Sequence, residues 1–170
     1  MHKIFNAFLL SISISAFAQE STAPKIHGAD IYGAKPNRPF LYKIPATGTK
    51  PMEYTVLGLP QGLTVDKNTG IISGVTPAKN NYNTQLIAKN NFGADTLSFD
   101  IKVGEELSLT PAMGWNSWNV FGLRVTDKDI RNAADVMVST GLIDHGWGYI
   151  NIDDGWESEE RKPDGEIATN

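Results

Sequence analysis

The fold of the second half of this chain is decided by the stretch Gly148-Tyr149-Ile150-Asn151-Ile152-Asp153-Asp154-Gly155-Trp156. It is a short apolar run that ends in two adjacent carboxylates and a tryptophan. A strand that delivers charge and an aromatic ring at its carboxyl end is typical of the way an α/β barrel builds a site for a polar substrate. Sugars are such substrates, because carboxylates accept hydrogen bonds from hydroxyls while an indole covers the C–H face of the ring.

A helix and an earlier strand complete the pattern around this stretch. Leu107–Trp115 is predicted to be a strand that runs into a loop rich in tryptophan and asparagine. Thr126–Thr140 is predicted to be a helix that Thr126 caps, that carries acidic residues in its first turn, and that Gly141 ends. The predicted apolar face of this helix is Ile130, Ala133, Ala134, Met137 and Val138. With Tyr149–Ile152 as the second strand, the pattern predicts one βαβ unit whose two strands are parallel.

Residues 21–104 have a different pattern, typical of a small antiparallel sandwich. Short β-prone runs alternate with turn residues, and no helical periodicity interrupts them. In the last run, Leu97, Phe99, Ile101 and Val103 are predicted to lie on one face. Residues 104–106 are predicted to join this region to residues 107–170. The predicted strands are Pro39–Pro45, Met52–Leu57, Leu63–Asp66, Gly70–Gly74, Thr84–Ala88 and Thr96–Val103.

Residues 1–18 are predicted to be a cleaved signal peptide. Lys3 precedes an apolar, serine-containing run, and Ala16-Phe17-Ala18 supplies small residues at the positions that signal peptidase reads. The alternatives are a membrane anchor or a buried helix, but the run is short for a membrane span. We therefore expect a periplasmic or secreted protein whose mature form begins at Gln19.

Composition excludes several other classes of protein. The formal net charge of −4 comes without any basic cluster, which argues against nucleic-acid binding. The chain has no cysteine, so it has neither disulfides nor a lipid-anchored cysteine after the signal. His27 and His145 are isolated from other metal-type ligands in the sequence, so no metal and no cofactor are expected.

One motif in the first region resembles a known module. Leu59–Asp66, followed by Thr69–Gly74, resembles the immunoglobulin-like domain of bacterial surface and secreted proteins, related to cadherin-like modules. Asp66 and Asn68 are interpreted as turn residues that bond to their own backbone, with a calcium site as the alternative. The residues expected to fill the sandwich core are Leu59, Leu63, Val65, Ile71 and Val75.

Three segments of the second region, in order, resemble the start of glycoside hydrolase family 27: Thr110–Asn119, Ala134–Leu142 and Gly148–Trp156. The stretch Arg161–Glu166 is also similar to the family sequence after the second strand. The family contains retaining α-galactosidases and their relatives on a (β/α)8 barrel. The resemblance implies an all-β immunoglobulin-like sandwich followed by the first βαβ unit of a truncated (β/α)8 TIM barrel. A full barrel needs about 250 residues, so we expect the chain to be the N-terminal part of a longer enzyme.

The resemblance also implies roles for four residues. Trp118 corresponds to the tryptophan that packs on the galactose ring, and Asp153 and Asp154 correspond to the pair that hydrogen-bonds its O4 and O6 hydroxyls. Trp156 is a further candidate for the pocket lining, whereas Trp115 is expected to pack structurally. The predicted substrate-binding residues are therefore Trp118, Asp153, Asp154 and Trp156.

No catalytic residue is predicted within the chain. A retaining glycosidase needs two carboxyls about 5–5.5 Å apart on either side of the bond, and neighbouring residues at a strand end point in different directions. In the family, the nucleophile and the acid/base are aspartates on the fourth and sixth strands. The chain also departs from the family, because many members carry a disulfide between the positions of Leu123 and Gly155.

The expected function is that of a secreted retaining glycosidase, an α-galactosidase that hydrolyses terminal α-D-galactosides in an oligosaccharide or polysaccharide. The family includes other glycosidases, so the exact substrate is open. The 170-residue chain alone is expected to be inactive. The alternative is a non-enzymatic immunoglobulin-like module for carbohydrate binding or adhesion. A third possibility is that the sandwich targets the enzyme to polysaccharide, although a spacer is favoured.

Overall fold

A computed structural model of the chain describes residues 22–169, so the predicted signal peptide lies outside the described residues. Residues 22–104 form the sandwich, and residues 107–169 form a smaller β/α unit. The strands of the sandwich are β1 (Lys25–Ile26), β2 (Ile31–Ala34), β3 (Pro39–Lys43), β4 (Ala46–Thr47), β5 (Glu53–Leu57), β6 (Leu63–Val65), β7 (Ile71–Val75), β8 (Asn80–Asn90) and β9 (Gly93–Val103).

The sandwich consists of two main sheets. One sheet has the order β2-β9-β8-β5 and the other β3-β7-β6, while β1 pairs with β4 at one edge. All of these pairs are antiparallel except β2 with β9, which is parallel, so the predicted antiparallel sandwich is not fully antiparallel. Strands β1, β2 and β4 were not predicted, because each has at most four residues.

The core between the sheets is continuous. The predicted alternation of β9 is confirmed, since Phe99, Ile101 and Val103 are buried and Leu97 packs against them. The expected core set is wrong at two positions of β7: Ile72 is fully buried, Ile71 is only half-buried, and Val75 is 53% exposed. Successive side chains of a strand face opposite sides, so only one register of β7 can fill the core.

The turn before β7 follows the predicted side-chain pattern. Oδ1 of Asp66 accepts hydrogen bonds from the backbone N–H groups of Asn68 and Thr69, both at 2.9 Å. These backbone bonds lower the pKa of Asp66. The interpretation of Asp66 as a turn residue is therefore confirmed.

The β/α unit starts later than predicted. Its first strand, β10, spans only Gly114–Asn116, so the prediction of a strand over Leu107–Trp115 is wrong for residues 107–113. The physical reasons are that Pro111 has no N–H to donate to a strand and that residues 106 and 107 lie against the sandwich at Gly33. The remaining elements are α1 (Trp118–Phe121), a 3-10 turn (Gly122–Arg124), α2 (Asp127–Ser139), a second 3-10 turn (Leu142–His145), β11 (Tyr149–Asn151), β12 (Glu157–Arg161) and β13 (Ile167–Thr169).

Helix α2 begins and ends as its sequence predicts. Thr126 and Asp129 form a reciprocal capping box, with Thr126 accepting from the Asp129 N–H and Asp129 accepting from the Thr126 N–H. Gly141 has a φ of 79°, which ends the helix in the left-handed region. The predicted apolar face is wrong at Val138, which is 60% exposed, whereas Met137 is buried.

The strands β10 and β11 are parallel, with Gly114 opposite Tyr149 and Asn116 opposite Asn151, which confirms the predicted βαβ unit. β12 and β13 form an antiparallel hairpin beyond β11. No helix within residues 22–169 is both long enough and apolar enough to cross a membrane.

Candidate functional site

The parallel pair β10–β11 brings two polar segments to the same edge. Ser117 and Trp118 follow β10 directly, and Asp153 and Asp154 follow β11 after one residue. The strands approach closely at Gly114, where an added Cβ would lie 2.1 Å from the carbonyl oxygen of Tyr149. Because glycine has no side chain, Gly114 lets β10 pair closely with β11, and this pairing aligns the two carboxyl ends.

Asp153 is held by Asn116, the last residue of β10, and by Ser117 directly after it. Its Oδ2 accepts a hydrogen bond from Nδ2 of Asn116 at 2.9 Å, and its Oδ1 accepts one from the N–H of Asp154 at 2.8 Å. Its own N–H donates to Oγ of Ser117 at 3.0 Å. Ser117 is fully buried, and its N–H donates to the carbonyl of Asn151. Both the backbone and the side chain of Asp153 are thus fixed before any ligand binds.

These hydrogen bonds also set the charge of the site. The N–H of Asp154, and after it the Asn116 amide, lower the pKa of Asp153, because both donors favour the ionised carboxylate. Asp153 is an exposed residue, so its free lone pairs can accept further donors. A charged, oriented acceptor of this kind suits the hydroxyl group of a sugar.

Asp154 lies at a bend of the chain. Its Oδ1 accepts from the N–H of Gly155 at 2.8 Å. Gly155 has a φ of 86°, and a Cβ there would lie 2.7 Å from Cα of Leu123. The two positions that carry a disulfide in many family members are therefore adjacent in this chain as well.

The tryptophans divide into exposed and packed residues. Trp118 is 44% exposed, and its backbone N–H donates to Oδ1 of Asn116. Trp156 is 38% exposed. Trp115 is half-buried and packs edge-on against Phe121 at 6.1 Å between ring centroids, in line with the structural role expected for it.

An open cleft of about 700 Å³ lies between the end of β11 and the β12–β13 hairpin. Asp153, Asp154 and Trp156 line it, so the structure brings together three of the four predicted site residues. Trp118 does not line this cleft. It is linked to Asp153 through Asn116, which hydrogen-bonds both residues. The hairpin contributes acidic side chains, while Arg161 is exposed and donates to the carbonyl of Gly165.

Sequence reasoning missed the two residues that support Asp153. Asn116 and Ser117 lie inside the Thr110–Asn119 motif, yet no role was predicted for either. The available signal was their position at the carboxyl end of an aligned strand, where polar side chains reach the neighbouring strand end. Within residues 22–169, no group of three or more His, Asp or Glu side chains is placed to hold a metal ion.

Comparisons with known proteins divide the chain in the same way as the structure. Residues 24–104 match the family described as "Putative Ig domain", and residues 110–170 match the family described as "Alpha galactosidase A". Residues 110–170 are therefore similar to the alpha-galactosidase family over about a third of the chain. The fold class predicted from the sequence, a sandwich followed by the start of an alpha-galactosidase barrel, is confirmed.

Individual alpha-galactosidases are similar to part of this chain. Alpha-galactosidase A of Cellvibrio japonicus is 55% identical over 58 residues, which are 34% of this chain and 14% of the relative. The alpha-galactosidase of Cyamopsis tetragonoloba is 40% identical over 88 residues, which are 50% of this chain and 21% of that protein. The chain thus spans about a fifth or less of these curated relatives.

Two solved Bacteroides fragilis structures, a "putative alpha-galactosidase" and a "putative alpha-galactosidase/melibiase", superpose on 88% of this chain with a TM-score of 0.82. They are 43% and 44% identical to it, and the chain covers 32% of each. Neither the sandwich nor the alpha-galactosidase-family segment reaches 88% alone. The superposition therefore includes both regions in one arrangement.

Proposed function

We propose that the chain is the substrate-recognising N-terminal part of an exported retaining α-galactosidase that hydrolyses terminal α-D-galactosides in oligosaccharides or polysaccharides. The observation that carries the proposal is the fixed, ionised carboxylate of Asp153 at the carboxyl end of the β10–β11 pair, next to Asp154 and Trp156 in an open cleft. The match of residues 110–170 to the family described as "Alpha galactosidase A" supports the substrate class.

Each site residue has a distinct role in this proposal. Asp153 and Asp154 accept hydrogen bonds from the O4 and O6 hydroxyls of galactose, and Trp118 and Trp156 cover its apolar C–H face. A carboxylate that accepts a hydroxyl forms a charge-assisted bond. A C4 epimer such as glucose cannot supply the hydroxyl in the same place, and the charge stays unpaired. The fixed geometry of Asp153 thus turns a stereochemical difference into a difference in binding free energy.

The bond-breaking residues are assigned elsewhere. Asp153 and Asp154 are neighbours, and each carboxylate already accepts from the N–H of the following residue. Neither arrangement places two carboxyls across a glycosidic bond, as retention requires. We therefore assign the nucleophile, which forms a covalent galactosyl-aspartate, and the acid/base, which protonates the leaving oxygen, to later strands of the full-length barrel.

Export is part of the proposal. It is supported by Lys3, the apolar run after it and the Ala16-Phe17-Ala18 site. N-terminal sequencing of protein recovered from the periplasm or medium is expected to start at Gln19. Recovery of the protein only in the cytoplasm with Met1 intact would contradict export without touching the glycosidase assignment.

The enzymatic proposal is tested by hydrolysis of aryl glycosides by the full-length protein. An aryl α-galactoside is expected to be cleaved and the corresponding α-glucoside to be left intact. Asp153→Asn is expected to lower kcat/KM by roughly 10- to 100-fold, the range for losing a hydrogen bond to a charged group. The matched control is Asp100→Asn in β9 of the sandwich, which is expected to leave kcat/KM unchanged.

Two outcomes would contradict the proposal. Cleavage of another aryl glycoside without cleavage of the galactoside would refute the substrate. Absence of any hydrolysis, combined with glycan binding by the intact protein, would instead favour a non-enzymatic carbohydrate-binding or adhesion module.

A further inference from the structure

We propose that the sandwich is the docking base of the β/α unit, holding the end of β11 opposite to Asp153 and Asp154 through an interface centred on Asp144. The sandwich is then an integral part of the enzyme's architecture and not a glycan-binding module on a flexible tether. The contacts lie in the second 3-10 turn, which precedes β11, whereas the candidate site follows it. The proposal concerns the arrangement of the chain and holds whichever glycoside the enzyme cleaves.

Asp144 is the centre of the interface. Its Oδ2 lies 2.9 Å from Nζ of Lys50 and its Oδ1 lies 3.7 Å from Nζ of Lys43, both of which belong to the sandwich. The Asp144 side chain is only 16% exposed. A carboxylate from one region is thus enclosed by two ammonium groups from the other. Lys50 is 68% exposed, whereas the Lys43–Asp144 pair is partly buried on both sides. A partly buried pair favours one geometry, because another arrangement leaves a charge without a partner.

Lys43 is itself fixed in position. Its Nζ donates to the carbonyl of Ile44 at 2.8 Å and lies 5.0 Å from the ring centroid of Tyr54. Burial lowers the pKa of Lys43, and the charge of Asp144 acts in the opposite direction. Asp144 therefore offsets the cost of keeping this ammonium group partly buried.

Aromatic contacts extend the interface on both sides of Asp144. The ring centroids of His27 and His145 lie 5.3 Å apart, and His145 is otherwise exposed. Burial, and after it the neighbouring hydroxyl of Tyr149, raises the pKa of Tyr32 in β2. Tyr149 is the first residue of β11, so the sandwich contacts the strand that carries the site.

The backbones of the two regions also approach each other. A Cβ at Gly146 would lie 3.5 Å from Cα of Gly28 in the sandwich. At the joint, the N–H of Gly104 donates to the carbonyl of Ala34 at 2.8 Å. A Cβ at Gly33 would lie 2.8 Å from the carbonyl oxygen of Glu106. Contact at both the joint and the second 3-10 turn fixes the orientation of the β/α unit.

Ion pairs hold the joint next to the close approach of Gly33 and Glu106. Lys35 pairs with Glu105, and Lys102 pairs with Glu106. These pairs are exposed and individually weak, but they keep the connecting segment along the sandwich. The same arrangement of both regions in the two Bacteroides fragilis structures is consistent with a fixed interface.

The test is hydrogen–deuterium exchange of the full-length protein carrying Asp144→Lys. This change places a third positive charge beside Lys43 and Lys50. Amides of residues 41–52 and 142–151 are expected to exchange about tenfold faster or more, a modest part of the effect of breaking a buried pair. Residues 84–103, in the central strands of the sandwich, are expected to keep their protection, which shows that the sandwich remains folded.

Two further variants complete the design. Lys50→Glu breaks the same pair from the sandwich side and is expected to accelerate exchange in the same two segments, so the test survives if Asp144→Lys does not fold. Asp127→Asn removes the exposed Arg131 pair of α2, at 2.8 Å, and is expected to leave both segments unchanged. Unchanged exchange in residues 41–52 for folded Asp144→Lys or Lys50→Glu protein would overturn the proposal.

Discussion

Asn116 donates a hydrogen bond from its side-chain amide to Oδ2 of Asp153 at 2.9 Å, and its own Oδ1 accepts one from the backbone N–H of Trp118 at 2.9 Å. One amide therefore connects the candidate carboxylate after β11 with the candidate tryptophan after β10. Asn116 and Asp153 are at different strand ends, 37 positions apart in sequence. Their relative position depends on this link, which makes Asn116 a positioning residue.

Replacement of Asn116 by alanine is expected to weaken galactose binding by the full-length protein. The change removes a donor to the ionised Asp153 and an acceptor for Trp118, so the affinity is expected to fall roughly 5- to 30-fold. Isothermal titration with D-galactose measures this. Asn132→Ala, on the exposed surface of α2, is the matched control and is expected to bind galactose like the wild type.

The same variant is expected to change the pH dependence of binding. Because Asn116 helps to lower the pKa of Asp153, its removal raises that pKa toward the ordinary value of 3.8. The carboxylate then protonates at a higher pH, and galactose affinity is lost earlier as the pH falls. If the galactose affinity of Asn116→Ala fell at the same pH as that of the wild type, a positioning role would be contradicted.

Gly114→Ala is expected to separate β10 from β11. The new Cβ would stand 2.1 Å from the Tyr149 carbonyl oxygen and 2.6 Å from the Tyr149 Cβ, and relief requires movement of backbone. We expect a loss of about 2 kcal/mol or more in the free energy of unfolding, measured in urea. Gly148→Ala is the control, since a Cβ there meets nothing within 4 Å. Equal stability of the two variants would contradict the close pairing.

Acid is expected to weaken the docking of the sandwich on the β/α unit. Burial, and then the charges of His145 and Lys25, lower the pKa of His27 below its ordinary 6.5, while Asp95 acts in the opposite direction. His27 also shares a hydrogen bond with the hydroxyl of Thr47. The charge of His145 acts on His27 only when the two regions are docked, so His27 binds its proton less readily in the docked state. Docking is therefore favoured above pH 6.5 and weakens as the pH falls below it.

Hydrogen exchange of residues 142–151 between pH 7.5 and 5.5, corrected for intrinsic rates, measures this effect. In the wild type the protection is expected to fall with pH, whereas His27→Gln is expected to show a flatter dependence. Identical dependence in both proteins would assign the acid sensitivity to another group.

The sequence predicted most of what depends on local pattern. The alternation of β9, the capping box of α2 and the parallel βαβ unit all follow from residue spacing, and the structure confirms them. The register of β7 was predicted wrongly because Ile71 and Ile72 are equally apolar. Only the position of the opposite sheet decides which of the two is buried.

The contacts that join distant segments could not be predicted. Nothing local indicates that Asp144 meets Lys50, since 94 residues separate them. The roles of Asn116 and Ser117 depend likewise on the strand alignment that brings Asp153 beside them. The prediction of a strand over residues 107–113 was wrong for the same reason, because contact with Gly33 holds the start of that segment against the sandwich.

The central claim is that Asp153 and Asp154 recognise the sugar and do not break its bond. The direct measurement is to trap the covalent intermediate of the full-length enzyme with an activated fluoro-galactoside and to locate the labelled residue by peptide mass spectrometry. The label is expected on an aspartate beyond residue 170, with the peptide that contains residues 149–156 unmodified. A label on Asp153 or Asp154 would contradict the account.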